Sequence, residues 1–240
     1  PQFDLPENLI DWCDQVRKEL HRHPELSMQE HRTCARVAEL LREMGLDSVQ
    51  EGVAGTGVLA LLRGAEEGPT VALRADMDAL PIQEATGLPW ASERPGVAHA
   101  CGHDGHMAVL LGTARLLSER REELAGNVRF IFQPGEEGYG GAQRMVQEGC
   151  LQDPPVNCIF AFHGVSALPA GHVELSLTPY ATMRGVRVLV RGRGGHGAYP
   201  HTTRDPIAAA AQIVVAAQTI VSRELAPAEP GVLSFGTIHG

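Results

Sequence analysis

The stretch His99-Ala100-Cys101-Gly102-His103-Asp104-Gly105-His106 sets three imidazoles, a thiol and a carboxylate within eight residues, interrupted by glycines. That donor set suits a borderline-soft divalent cation such as zinc, or manganese or nickel at a mixed site. The glycines let the backbone bend so that Cys101 and His103 can point at one ion. Apolar residues then recur at helical spacing over 107–117, including Val109, Leu110, Leu111, Leu116 and Leu117. The cluster therefore sits on a loop leading into a buried helix. Taken alone, the stretch also reads as a free cysteine among loop histidines, and its surroundings decide between the two.

Upstream, Leu9, Trp12, Val16 and Leu20 predict an amphipathic helix over 7–21, and Val37, Leu40, Leu41 and Met44 predict a second over 29–44, stopped by Gly45. Between them, residues 21–27 are turn-like around Pro24, and their histidines read as solvated or structural. Short apolar runs over 57–62 and 70–74 predict strands. The second runs into Asp76 and Asp78, which share a face if the strand continues through them. They belong either to a site or to a solvated turn.

Downstream, 128–133 predicts a strand ending in Pro134-Gly135-Glu136-Glu137-Gly138. Adjacent carboxylates repel one another unless a cation or a proton offsets the repulsion. A helix is predicted over 141–148, then a buried strand over 158–164 that delivers His163. Three successive strand ends thus carry chemically useful groups, as expected where a site forms outside the carboxyl ends of an open α/β sheet.

After residue 179 the pattern changes. Residues 186–191 alternate as a strand with one solvated face, an Ala-rich helix follows Asp205-Pro206 to about 225, and a strand is predicted over 232–238. The glycines at 192, 194, 195 and 197 do not form a phosphate loop, because Ala198-Tyr199-Pro200-His201 makes another turn where a helix would have to begin. This segment reads as the start of a smaller domain, giving boundaries of 1–179 and 180–240. Overall the alternation predicts an α/β catalytic domain with a central mixed sheet flanked by helices, plus an incomplete smaller α+β domain.

Composition excludes some classes. The 240 residues carry a net charge of -9 with only 20 Lys and Arg and no basic run, which disfavours nucleic acid. No apolar stretch is expected to reach membrane-spanning length and Pro1 to Pro6 lacks the features of a signal peptide, so a soluble, cytoplasmic protein is expected. Cysteines at 13, 34, 101, 150 and 158 show no disulfide framework and fit a reducing compartment.

The motifs Arg74-Ala-Asp-Met-Asp-Ala-Leu-Pro81, Ala100-Cys-Gly-His-Asp-Gly-His106, Gln133-Pro-Gly-Glu-Glu-Gly138, Phe162-His-Gly164 and Gly194-Gly-His-Gly-Ala-Tyr-Pro-His201 resemble, in order, the M20 metallopeptidase family. The Cys-Gly-His-Asp variant, with Leu20-His-Arg-His-Pro-Glu-Leu-Ser27, resembles its amidohydrolase branch, which includes hippurate hydrolases, indole-acetyl-amino-acid hydrolases and N-acetyl-diaminopimelate deacetylases. The resemblance implies that Cys101, His103, Glu137 and His163 bind two divalent ions (zinc, manganese, nickel or cobalt), with the Cys101 thiolate able to bridge them. It implies Glu136 as general base, Asp76 as an acid orienting a metal ligand, and His196 as the oxyanion-stabilising residue that reaches a neighbouring active site across a homodimer. His201 joins His196 as a substrate-binding candidate. The smaller domain would be a ferredoxin-like lid and dimer surface, and the substrate a small N-acyl amino acid, with neither nucleic acid nor membrane as partner. A last His ligand of the family has no counterpart in these residues, so the chain is expected to be a fragment. A cysteine hydrolase using Cys101 and a family member that binds without catalysing are the competing readings. Arg184, Arg187 and Arg191 are carboxylate-binding candidates by location, with solvated strand positions the simpler account.

Overall fold

The computed structural model describes residues 5–175 and 184–240. The chain divides into two compact units, residues 1–168 and 169–240. The boundary expected at 179/180 lies outside the described residues, as do residues 1–4 at the N-terminus.

In the first unit, α1 (Glu7–Arg22) and α2 (His31–Glu43) form where the apolar spacing placed them, and bury Leu9, Val16 and Leu20 and then Val37, Ala38, Leu40 and Leu41. The strands are β1 (Ser48–Val53), β2 (Gly57–Arg63), β3 (Glu66–Asp76), β4 (Ala125–Gln133) and β5 (Val156–Ala161), with α3 (His103–Glu119) between β3 and β4 and α4 (Gly141–Gln147) between β4 and β5. β1 had no sequence signal, because it is an edge strand with only Val53 buried. The predicted helix over 107–117 begins four residues earlier, so His103 stands in its first turn.

The sheet is mixed, in the order β1-β2-β4-β3-β5. β2 is antiparallel to β1 and β4, whereas β3 is parallel to both β4 and β5. Asp76 pairs with Gln133 and Arg74 with Ala161, so the carboxyl ends of three neighbouring strands finish nearly level. Alternation within the strands divides the core. Phe130 and Phe132 pack with Val16, Leu41, Met107 and Leu111 of α1, α2 and α3. Ala72 and Ile131 join Met145 of α4 in a separate cluster, so the sheet carries helices on both faces.

The second unit contains α5 (Pro206–Thr219), started by Pro206 and by Asp205, whose carboxylate accepts the N–H groups of Ile207 (2.8 Å) and Ala208 (3.1 Å). A π turn, Ile220–Glu224, extends it. The strands predicted over 186–191 and 232–238 do not form among the described residues, where the only bridge of this unit is Arg193 with Arg204. Alternation prepares a segment for pairing, but a strand exists only where a second one supplies the ladder. Val186, Val188, Leu189 and Val232 accordingly stand exposed. The described residues of this unit thus show helix without the expected α+β sheet. The reading that no stretch is long enough to span a membrane also needs correction. Pro206–Glu224 is one continuous 19-residue helical segment of mean hydropathy 1.2, sufficient in length and composition to cross one, because Ala, Ile and Val fill it with no charge before Arg223.

Candidate metal centre at the strand ends

The three parallel strands bring together six of the residues that the sequence singled out. Asp76 ends β3, Glu136 and Glu137 follow β4, His163 follows β5, and Cys101 and His103 sit at the start of α3, which leaves the same edge. Gly102 makes this possible. Its φ of 87° lies in the left-handed region and turns the chain between Cys101 and the first helical turn.

His103 is fully buried. Its Nδ1 donates to the carbonyl of Asp78 at 2.8 Å, while Nε2 has no hydrogen-bond partner among the described residues. Near that nitrogen are Asp76 Oδ2 at 3.7 Å and Glu137 Oε1 at 3.9 Å. Cys101 Sγ lies 3.6 Å from His163 Nε2. Donor atoms gather within 4.8 Å of one another in three sets, Cys101 with His103 and His163, Asp76 with His103 and His106, and His103 with Glu136 and Glu137. His103 belongs to all three. A buried, unpartnered imidazole nitrogen amid a thiol, further imidazoles and carboxylates is the arrangement that a divalent cation completes, so these residues fit the implied metals.

The field in the site is strongly negative. Burial raises the Cys101 thiol to about 12, and the carboxylates of Glu137, Asp76 and Glu136 push in the same direction. Glu136 is likewise raised, first by burial and then by Asp76 and Glu137. Burial would also raise Asp76, but a hydrogen bond from His106 and the charge of Arg74 outweigh it and hold that carboxyl at about 2. Burial lowers His103, and the carboxylates of Asp78 and Asp76 more than reverse this, so its net shift is upward.

Asp76 accepts from His106 Nδ1 at 2.6 Å and from Arg74 at 2.7 Å, and Arg74 also reaches Gln133 at 2.9 Å. His106 Nε2 accepts the Gly164 N–H at 2.9 Å, which places the ring proton on Nδ1 and ties the segment after β5 to Asp76. Asp78 carries more of the site than its sequence suggested. Its carbonyl orients His103, and its carboxylate accepts the Ser27 hydroxyl at 2.5 Å and the Glu137 N–H at 3.0 Å. His106 and Asp78 stand within the quoted motifs, but nothing local assigned their partners. His196 and His201 belong to the second unit, where both rings lie beside Tyr199.

Behind the site, His21, which the structure places in the last turn of α1 and not in the turn expected over 21–27, meets Asp104 through Nδ1 at 2.9 Å and Glu84 through Nε2 at 3.2 Å, so it is structural. The Asp104 hydrogen bond raises its pKa above the ordinary value, although burial opposes it. A raised folded-state pKa contributes stability that is complete below the unfolded value of about 6.5 and lost as pH rises through the folded one. His21→Gln is therefore expected to cost more stability at pH 6 than at pH 9, read as urea midpoints. Equal costs at both pH values would remove the charged bridge as the cause.

The pattern of peptidase family M20/M25/M40 matches residues 72–239, more than half of the chain. The chain is 45% identical to thermostable carboxypeptidase 1 of Saccharolobus solfataricus over 95% of its own length and 58% of the relative's. It is 44% identical to an N-acyl-L-amino acid amidohydrolase of Geobacillus stearothermophilus over 98% of its length and 64% of that protein's. It therefore spans about three fifths of these relatives. Among solved structures, a Bacillus subtilis protein described as a dinuclear metal binding peptidase from the M20 family shares 45% identity at a TM-score of 0.65, over 69% of this chain and 45% of the other. With the strand-end donors in place and the family pattern running through them, the chain belongs to peptidase family M20/M25/M40.

Proposed function

We propose that this chain is part of a metal-dependent amidohydrolase that cleaves the amide bond of N-acyl amino acids, the acyl group being acetyl, benzoyl or aryl-acetyl. The observation that carries the reading is the buried, unpartnered Nε2 of His103, set among Cys101, His163, Glu137 and Glu136 at one sheet edge. Cys101, His103, Glu137 and His163 would hold two divalent cations, zinc, manganese, nickel or cobalt. When bound, such ions supply a water of lowered pKa and polarise the scissile carbonyl. Glu136, raised in basicity by burial and by its acidic neighbours, takes the proton of the attacking water as oxygen bonds to the acyl carbon, and returns it to the amine nitrogen as the C–N bond breaks. Asp76 and His106 brace the segment that presents His163.

The relatives named carboxypeptidase and N-acyl-L-amino acid amidohydrolase support one substrate class, because in both reactions the released amine is an amino acid with a free carboxylate. His196, as oxyanion stabiliser reaching in from the partner of a homodimer, and His201, as a substrate contact, complete the proposal. Residues 180–240 would then belong to the smaller, ferredoxin-like domain. The cysteine-hydrolase reading is weaker. A thiol nucleophile needs a lowered pKa, and the surroundings of Cys101 raise it to about 12.

The test uses the complete natural protein, elemental analysis and a panel of N-acetyl, N-benzoyl and indole-acetyl amino acids. About two divalent ions per chain, with hydrolysis lost to a chelator and restored by added cation, are the expected result. Hydrolysis that survives complete metal removal would overturn the reading.

A further inference from the structure

The connection between α1 and α2 ends in Glu30, which is 0% exposed yet pairs with no cationic side chain among the described residues. It stands at the N-cap of α2 but makes no side-chain cap. Its carboxylate is used elsewhere. Oε1 accepts the Gly135 N–H at 2.8 Å, across 105 residues of sequence, and Oε2 accepts the Thr56 hydroxyl at 2.5 Å. Burying a carboxylate against two neutral donors is costly, so a local helix role does not account for it.

Gly135 immediately precedes Glu136 and Glu137. It has a φ of 55°, and a Cβ there would lie 2.6 Å from Met28 Sδ, so the same connection also walls in the turn. One residue before Met28, Ser27 donates to the Asp78 oxygen that also accepts the Glu137 N–H. The connection therefore grips the turn after β4 directly through Glu30, and through Asp78 from the end of β3.

We propose that Glu30 and Ser27 are positioning residues that fix the Glu136-Glu137 turn against His103, so that the base and the ligand hold their places relative to one another. The inference rests on the amidohydrolase reading above. Misplacing a reacting group by about 1 Å can cost about 100-fold in rate, so the loss falls on kcat.

The test compares Glu30→Met, which fills the space without an acceptor, with Glu30→Gln, which keeps an oxygen for Gly135, and with Thr56→Val, which removes the other hydrogen bond on the same carboxylate. Ser27→Ala tests the second arm if Glu30→Met fails to fold. Each is made in the complete protein and loaded with cobalt, and kcat, KM, melting temperature and the visible cobalt spectrum are measured. Glu30→Met is expected to lower kcat about 100-fold with KM within about threefold and to shift the cobalt bands. Glu30→Gln restores most of kcat, Ser27→Ala shifts the bands, and Thr56→Val lowers the melting temperature while leaving kcat and spectrum unchanged. A folded Glu30→Met with native kcat and spectrum, or a Thr56→Val that mimics it, or an unshifted Ser27→Ala, overturns the inference. A wild-type protein that neither binds cobalt nor hydrolyses the panel overturns the parent reading instead.

Discussion

Replacing Glu136 by Gln is expected to lower kcat by about 10²- to 10⁴-fold, the range that a positioned proton-transfer group contributes, while metal content stays at the wild-type level. The substitution keeps the side chain's size and removes only its capacity to take a proton. Glu136 is the more exposed of the two and stands nearer the rim, whereas its neighbour Glu137 is half-buried and faces His103 Nε2 at 3.9 Å, and the proposed reading assigns base and ligand on that difference. Glu137→Gln should behave differently and lose metal along with activity. The measurements are steady-state kinetics on the acyl-amino-acid panel and elemental analysis of both variants. Retention of turnover by a metal-loaded Glu136→Gln would exclude it as the base.

A second large effect separates two histidines that look alike in sequence. His103 spends Nδ1 on the Asp78 carbonyl and keeps Nε2 without a partner, whereas His106 has both nitrogens engaged, by Asp76 and by the Gly164 N–H. His103→Ala is therefore expected to remove a ligand outright. Metal should fall from about two ions per chain to one or none, and hydrolysis should drop below detection. It also leaves Asp76, Asp78, Glu136 and Glu137 near one another without the imidazole among them, so the metal-free variant should unfold at lower urea than the metal-free wild type. His106→Ala should keep the ions but weaken their binding by about 10- to 100-fold, as removal of a group supporting a ligand does. Competition with a chromophoric chelator reads both constants. Should His106→Ala lose metal as completely as His103→Ala, the division of labour inferred from their hydrogen bonds is wrong.

Much of the first unit could be read from the order of its residues. The helical spacing around Val16 and Leu20, and around Val37 and Leu41, placed α1 and α2, and short apolar runs placed β2, β3 and β4, because these periodicities are local properties of the chain. The donor types were equally plain, since Cys101, His103, Glu136, Glu137 and His163 each fall where a regular element begins or ends. Family resemblance assigned their roles, which periodicity could not.

Other features needed the folded chain. The order β4-β3-β5 sets three strand ends level, and no residue of those strands encodes its neighbour. The same limit explains the failed strands at 186–191 and 232–238, whose alternation is real but finds no ladder among the described residues. The sequence by itself determined which elements form in the first unit and which donors stand at their ends, because both follow from nearest-neighbour spacing. Only the tertiary structure decided that His103 keeps a free nitrogen, that Asp78 holds two candidate ligands, and that Glu30 reaches Gly135, because hydrogen-bond partners distant in sequence become neighbours only after the sheet has closed around them.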